Sequence, residues 1–60
     1  MRVIVLDKES YTIHEYYNVT KIEYIESNSS YQVTGVFAET NAPTIGTYGA
    51  TRFLVRIMSN

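Results

Sequence analysis

The stretch Arg52-Phe53-Leu54-Val55-Arg56-Ile57-Met58 decides the fold class. Phe53, Val55 and Ile57 fall on one side of it, and Arg52, Leu54 and Arg56 on the other. Successive side chains of an extended strand point to opposite faces, so the pattern predicts a strand with a core face and a face bearing two arginines. A helix would space its apolar residues three and four apart.

The segment before it, 39–51, holds the only proline, Pro43, and two of the three glycines, Gly46 and Gly49. It predicts a long loop, of the kind that is often functional in small domains. Tyr31–Ala38 predicts a strand with Tyr31, Val33 and Phe37 on one face. Gly35 inside it marks a bend, a bulge or the close approach of another backbone or ligand. Ser27-Asn28-Ser29-Ser30 is a loop. Thr20–Glu26 and Tyr11–Tyr17 predict two further strands. Between them Val19, Ile22 and Tyr24 are spaced by three and then two, which fits a β-bulge near Thr20-Lys21. One helical turn over 18–22, capped by Asn18, is the alternative. Arg2–Leu6 is apolar on both sides, Val3 and Val5 on one and Ile4 and Leu6 on the other. That predicts a strand covered on both faces, central in the sheet or at a subunit contact. Asp7-Lys8-Glu9-Ser10 is the polar turn of a hairpin. The sum is an all-β domain spanning 1–60, with about five mostly antiparallel strands in a small curled sheet or barrel.

Size limits how such a sheet is stabilised. A chain of 60 residues buries only about 60% of the surface its unfolded form exposes. Small domains usually add disulfides, a metal or a partner. There is no cysteine and one histidine, His14, so disulfides and clustered thiolate or imidazole metal sites are excluded. Self-association remains, and a homo-oligomer is the expectation. The absence of cysteine suits a reducing cytoplasm better than secretion. Met1–Leu6 is too short an apolar run for a signal sequence or a membrane span. Five basic and six acidic residues give a net charge of −1. That balance argues against general nucleic-acid binding, which needs a positive field.

Candidate chemistry is sparse. His14 and Glu15 are adjacent, so in a strand they point to opposite faces and cannot work together. No catalytic set, metal set or cofactor motif emerges, and the protein reads as a non-enzyme. Gly46-Thr47-Tyr48-Gly49 has the letters of a GXXG nucleic-acid loop but lacks its flanking helices and basic neighbours. Six tyrosines suit either a half-buried sheet face or a contact surface. Arg52 and Arg56, about 13 Å apart along one face, could join His14 and Tyr16 from a neighbouring strand and Tyr48 from the long loop. Together they would form a polar, aromatic patch suited to an anionic ligand or a protein partner. The competing view is that both arginines are solvated edge residues that discourage aggregation. Ile45 and Tyr48 either fold back onto the domain's own core or extend as an arm onto another subunit. With Ile4 and Leu6 they are the candidate oligomer contacts.

Residues 1–26 combine an apolar strand and a polar turn with the run Tyr11-Thr12-Ile13-His14-Glu15-Tyr16-Tyr17-Asn18-Val19-Thr20-Lys21-Ile22-Glu23. This half resembles short phage and prophage proteins in which Asn-Val, two polar residues and Ile-Glu join two strands. The resemblance implies a phage accessory protein in the cytoplasm of a bacterial host. Such proteins include inhibitors of host defence that sequester nucleotide signals or block a host protein. It carries over no binding residue. The sequence thus points to a small non-enzymatic binding protein that self-associates and captures a small anionic, nucleotide-like ligand or a host protein. The alternative is an assembly subunit that uses its β edges and the 39–51 arm.

Overall fold

The computed structural model describes residues 1–58. It is all-β, with five antiparallel strands in one sheet: β1 (Arg2–Asp7), β2 (Ile13–Ile25), β3 (Ser30–Phe37), β4 (Ala42–Gly49) and β5 (Phe53–Met58). The strand order is β4-β3-β2-β1-β5. The first four strands form a meander. The fifth crosses to the far edge and pairs with β1. Only Ala50-Thr51-Arg52 links β4 to β5, a connection that spans at most about 14 Å. The two edges must therefore approach each other, and the sheet curls. Its extents of 26 × 24 × 21 Å are nearly equal, whereas a flat sheet is about 10 Å thick. The β4 and β5 edges do not pair, so the curl is not closed into a barrel.

A bulge in β2 makes the curl possible. Tyr17 pairs with Val36 and Lys21 with Thr34, so three residues of β2 stand opposite Gly35 alone. Asn18 takes up the distortion in a left-handed conformation, φ 49°, which asparagine tolerates better than most residues. Val19 then turns inward and is buried. Its Cα would lie 3.0 Å from a Cβ on residue 35, and this close approach accounts for the glycine inside β3. The predicted bulge is present, and the helical turn is not. The strands read as Tyr11–Tyr17 and Thr20–Glu26 are one strand of 13 residues bent at the bulge. Tyr11 itself lies outside it at φ 60°.

The segment 39–51, expected as a long loop, instead forms a strand over most of its length: Ala42–Gly49 is β4. Pro43 is accommodated because β4 is an edge strand, where proline costs least. Gly46 is required for a packing reason. A Cβ there would overlap the Tyr16 hydroxyl and lie 2.9 Å from the Tyr48 ring. Gly49 has nothing within 4 Å. Gly46→Ala should thus lose about 1–3 kcal/mol to overpacking. Gly49→Ala should be neutral or gain about 0.5 kcal/mol from reduced backbone entropy. Urea unfolding of the two variants checks this pair.

The core lies on the inner face of the curl. Val3, Val5, Tyr16, Val19 and Val33 are buried, and Ile22, Phe37, Tyr48, Phe53 and Val55 pack against them. β1 is central between β2 and β5. Its second face was expected to be covered too, but Ile4 and Leu6 are only half-buried. One curled layer has a single inside, and nothing in the described chain lies over the other surface.

Candidate functional site

Inside the curl, five rings meet. Tyr16 packs on Phe37 with ring centres 5.2 Å apart and meets Tyr48 edge to face. Tyr48 stacks edge-on against Phe53 at 5.0 Å. His14 lies among Phe37, Tyr48 and Phe53 at 6.0–6.4 Å. The Tyr16 and Tyr48 hydroxyls hydrogen-bond to each other. Burial, and then the bond to Tyr16, push the Tyr48 hydroxyl above its ordinary value of 10.0. It therefore stays protonated across the physiological range. His14 faces this cluster, while Glu15 pairs with Ile4 on the outer surface. The two do not form an acid–base couple.

At the mouth of the cluster, Asp7 and Arg52 form a clamp. The Asp7 carboxylate accepts the backbone N–H of Glu9 and Ser10 at 2.9 and 3.3 Å, which folds the turn after β1. It also accepts Arg52 Nε at 3.0 Å and Nη2 at 2.9 Å. Lys8 N–H donates to the Arg52 carbonyl at 2.9 Å. The two turns that flank β1 and β5 are thereby tied together. The Arg52 guanidinium beside Asp7 holds the carboxyl well below its ordinary range. Arg52 in turn is held charged by Asp7 and Glu9. Its guanidinium also lies 5.5 Å from the centre of the Phe53 ring. A bidentate arginine of this kind is committed to its carboxylate.

The outer surface of β2, β1 and β5 is different in kind. Cross-strand register places Ile13, Leu6 and Leu54 in one row, and Glu15, Ile4 and Arg56 in the next. Ile4, Leu6, Ile13, Leu54, Arg56 and Met58 line a depression of about 280 Å³. Ile13 is 62% exposed and Leu54 55%. Arg2 Nε binds Glu15 Oε2 at 3.0 Å along the same surface. A second, wider groove of about 400 Å³ follows the bulge, between Asn18 and Thr20 on one side and Pro43 and Ile45 on the other.

The predicted site residues therefore separate. His14, Tyr16 and Tyr48 come together, but as packed interior. Arg52 sits at their rim, bound to Asp7. Arg56 lies on the opposite face beside Ile4, so the five residues make no common pocket. Of the predicted oligomer contacts, Ile4 and Leu6 share one outer face. Ile45 lies on the outer face of β4, and Tyr48 points inward because alternation along β4 puts it with Gly46. Glu15 was weighed only as a partner of His14, and Phe53 only as core; Asp7, Ile13 and Leu54 were not among the site residues expected from sequence. Leu54 could have been: it shares the arginine face of the strand that alternates most cleanly.

Among the described residues no three His, Cys, Asp or Glu side chains converge. No buried side-chain polar atom among them lacks a partner. No helix among them is long and apolar enough to cross a membrane. Fold and surface together define a small, open, antiparallel β-sheet domain with a packed aromatic cluster on its inner face and an apolar outer face on β2, β1 and β5. No family model, curated protein or solved structure matches the chain.

Proposed function

We propose that the protein is a non-enzymatic binding protein that works as a homo-oligomer and acts by surface contact with another protein. The observation that carries the self-association is the outer face of β2, β1 and β5. There four aliphatic residues, Ile4, Leu6, Ile13 and Leu54, stand side by side on the exterior. A contiguous apolar patch rimmed by charge is the mark of a protein contact. In so small a domain it also supplies burial that the single-layer core lacks. Capture of a small anionic ligand is less well supported. Arg52 is bound to Asp7, and Arg56 faces away from His14 and Tyr16. The resemblance of residues 1–26 to phage proteins supports a cytoplasmic accessory role in which the target is a host protein.

A second reading, an assembly subunit, draws on the free edges of β4 and β5, which could pair with further copies. The two readings differ in closure. Native mass spectra across concentration should show one discrete small oligomer, with no small molecule released on denaturation. An open-ended ladder of masses would favour assembly. A monomer at every concentration would overturn both. A co-purified nucleotide would restore the anionic-ligand reading.

A further inference from the structure

We propose that the outer face of β2, β1 and β5 is covered by the same face of a second copy, in a closed dimer whose two-fold axis runs parallel to β1. This rests on the self-association proposed above and specifies its geometry. A face that meets itself must be self-complementary. The strand register makes this one so. β1 is the middle strand, flanked by β2 and β5. A half-turn about an axis between the two faces and parallel to β1 lays the β2 side of one copy on the β5 side of the other.

The rows then match. In the first row, Ile13 of each copy meets Leu54 of the other, and the two Leu6 side chains meet at the axis. In the second row, Glu15 of each copy meets Arg56 of the other, with Ile4 at the axis between them. The face thus carries its acid and its base at opposite ends of one row, at equal distance from the centre. That is the arrangement a two-fold needs to turn one acid and one base into two ion pairs. Arg2 does not clash across the axis. It leans sideways onto Glu15 Oε2, and its symmetry mate leans the opposite way. The second carboxylate oxygen of Glu15 remains for the partner's guanidinium.

The shape is consistent with this packing. Ile4 and Leu6 floor the depression, and Ile13 and Leu54 rise on its two sides. A two-fold parallel to β1 keeps the two β1 strands parallel, so Ile13 and Leu54 close the two sides of the contact while Leu6 and Ile4 face their mates across its centre. The footprint is modest. Three strands about 4.8 Å apart and five residues of about 3.3 Å each cover roughly 14 × 17 Å. A footprint of about 240 Å² per copy lies well below the roughly 800 Å² per partner of a stable interface, so the dimer is weak and reversible and forms only at high protein concentration.

Charge reversal tests the geometry. Glu15→Arg sets two like-charge contacts across the axis, and Arg56→Glu does the same with the opposite sign. At about tenfold for each contact, each variant alone should dimerise on the order of 100-fold more weakly. Mixed one to one, they should recover wild-type affinity as a heterodimer, because both contacts are then attractive. Sedimentation equilibrium of each variant and of the mixture reads this directly. Recovery in the mixture also shows that both variants are folded. A wild-type oligomer whose affinity ignores either reversal, or a mixture that does not recover, overturns this geometry and leaves self-association through another surface. A wild type that is monomeric throughout overturns both.

Discussion

Tyr16→Ala should remove half or more of the stability of the isolated domain. Tyr16 is the largest of the fully buried side chains, 1% exposed, and it ties β2 to β3 and β4 through Phe37 and Tyr48. Truncating a buried aromatic costs about 3–5 kcal/mol. A domain this small has about 3–9 kcal/mol in total, at roughly 0.05–0.15 kcal/mol per residue. Mid-range values leave about 2 kcal/mol, so the variant should unfold at far lower urea than the wild type. Tyr16→Phe keeps the ring and leaves the Tyr48 hydroxyl without its protein partner. Tyr48 is half-buried, so water replaces part of that bond and the loss is about 1 kcal/mol. Near-ultraviolet circular dichroism with urea unfolding separates the two variants. The same cluster sets the alkaline limit. The Tyr48 pKa is raised in the fold, so its contribution is complete below the ordinary value of 10.0. It is lost as pH rises from there toward the folded value. Tyr48→Phe removes this part of the alkaline destabilisation.

Loss of the Asp7 clamp is the second large effect, and it carries a pH signature of opposite sign. The Asp7 pKa is lowered in the fold, chiefly by Arg52. Its stabilisation is therefore fully present above the ordinary value of 3.8 and is lost as pH falls below it. The melting temperature of the wild type should be flat near neutrality and fall steeply below about pH 4. Asp7→Asn should start lower, because its amide cannot accept the Arg52 fork and two backbone N–H groups as a carboxylate does. It should also lose most of the acid-dependent slope. Thermal melts of the two proteins across the acid range measure both features. An unchanged slope in the variant would assign the acid transition to other carboxylates.

How much of this was legible in sequence depends on the residue. The alternation of Phe53, Val55 and Ile57 marked the inner face of β5: Phe53 and Val55 pack on the core, while Ile57, opposite Val3 near the end of the strand, stays 60% exposed. Gly35 signalled a close backbone approach, which the β2 bulge supplies. The Val19–Ile22 spacing located that bulge. The segment 39–51 misled because strand breakers serve other purposes there. Pro43 sits on an edge, and Gly46 makes room for the Tyr16 hydroxyl. Propensity reports the average cost of such residues and is silent about a neighbour 30 positions away in sequence. The candidate site failed for a related reason. Alternation assigns Arg56 and His14 to faces within their own strands, but which faces coincide depends on cross-strand register. Register puts His14 opposite Val5, inside, and Arg56 opposite Ile4, outside. Arg52 lies just before the strand and turns to Asp7, a partner 45 residues distant. The same register made Ile4, Leu6, Ile13 and Leu54 one face, which no single strand reveals.

On the proposed reading, the outer face of β2, β1 and β5 is where the protein associates. Sedimentation equilibrium of the wild type, Leu54→Lys and Ile45→Lys, from low micromolar to near-millimolar concentration, tests it most directly. Both positions are exposed on outer faces, Leu54 at 55% and Ile45 at 64%, so both variants should keep the wild-type circular dichroism. The expected result is a reversible dimer for the wild type and Ile45→Lys, and a monomer for Leu54→Lys. A wild type that stays monomeric over the whole range, or a Leu54→Lys protein that associates as the wild type does, would contradict it.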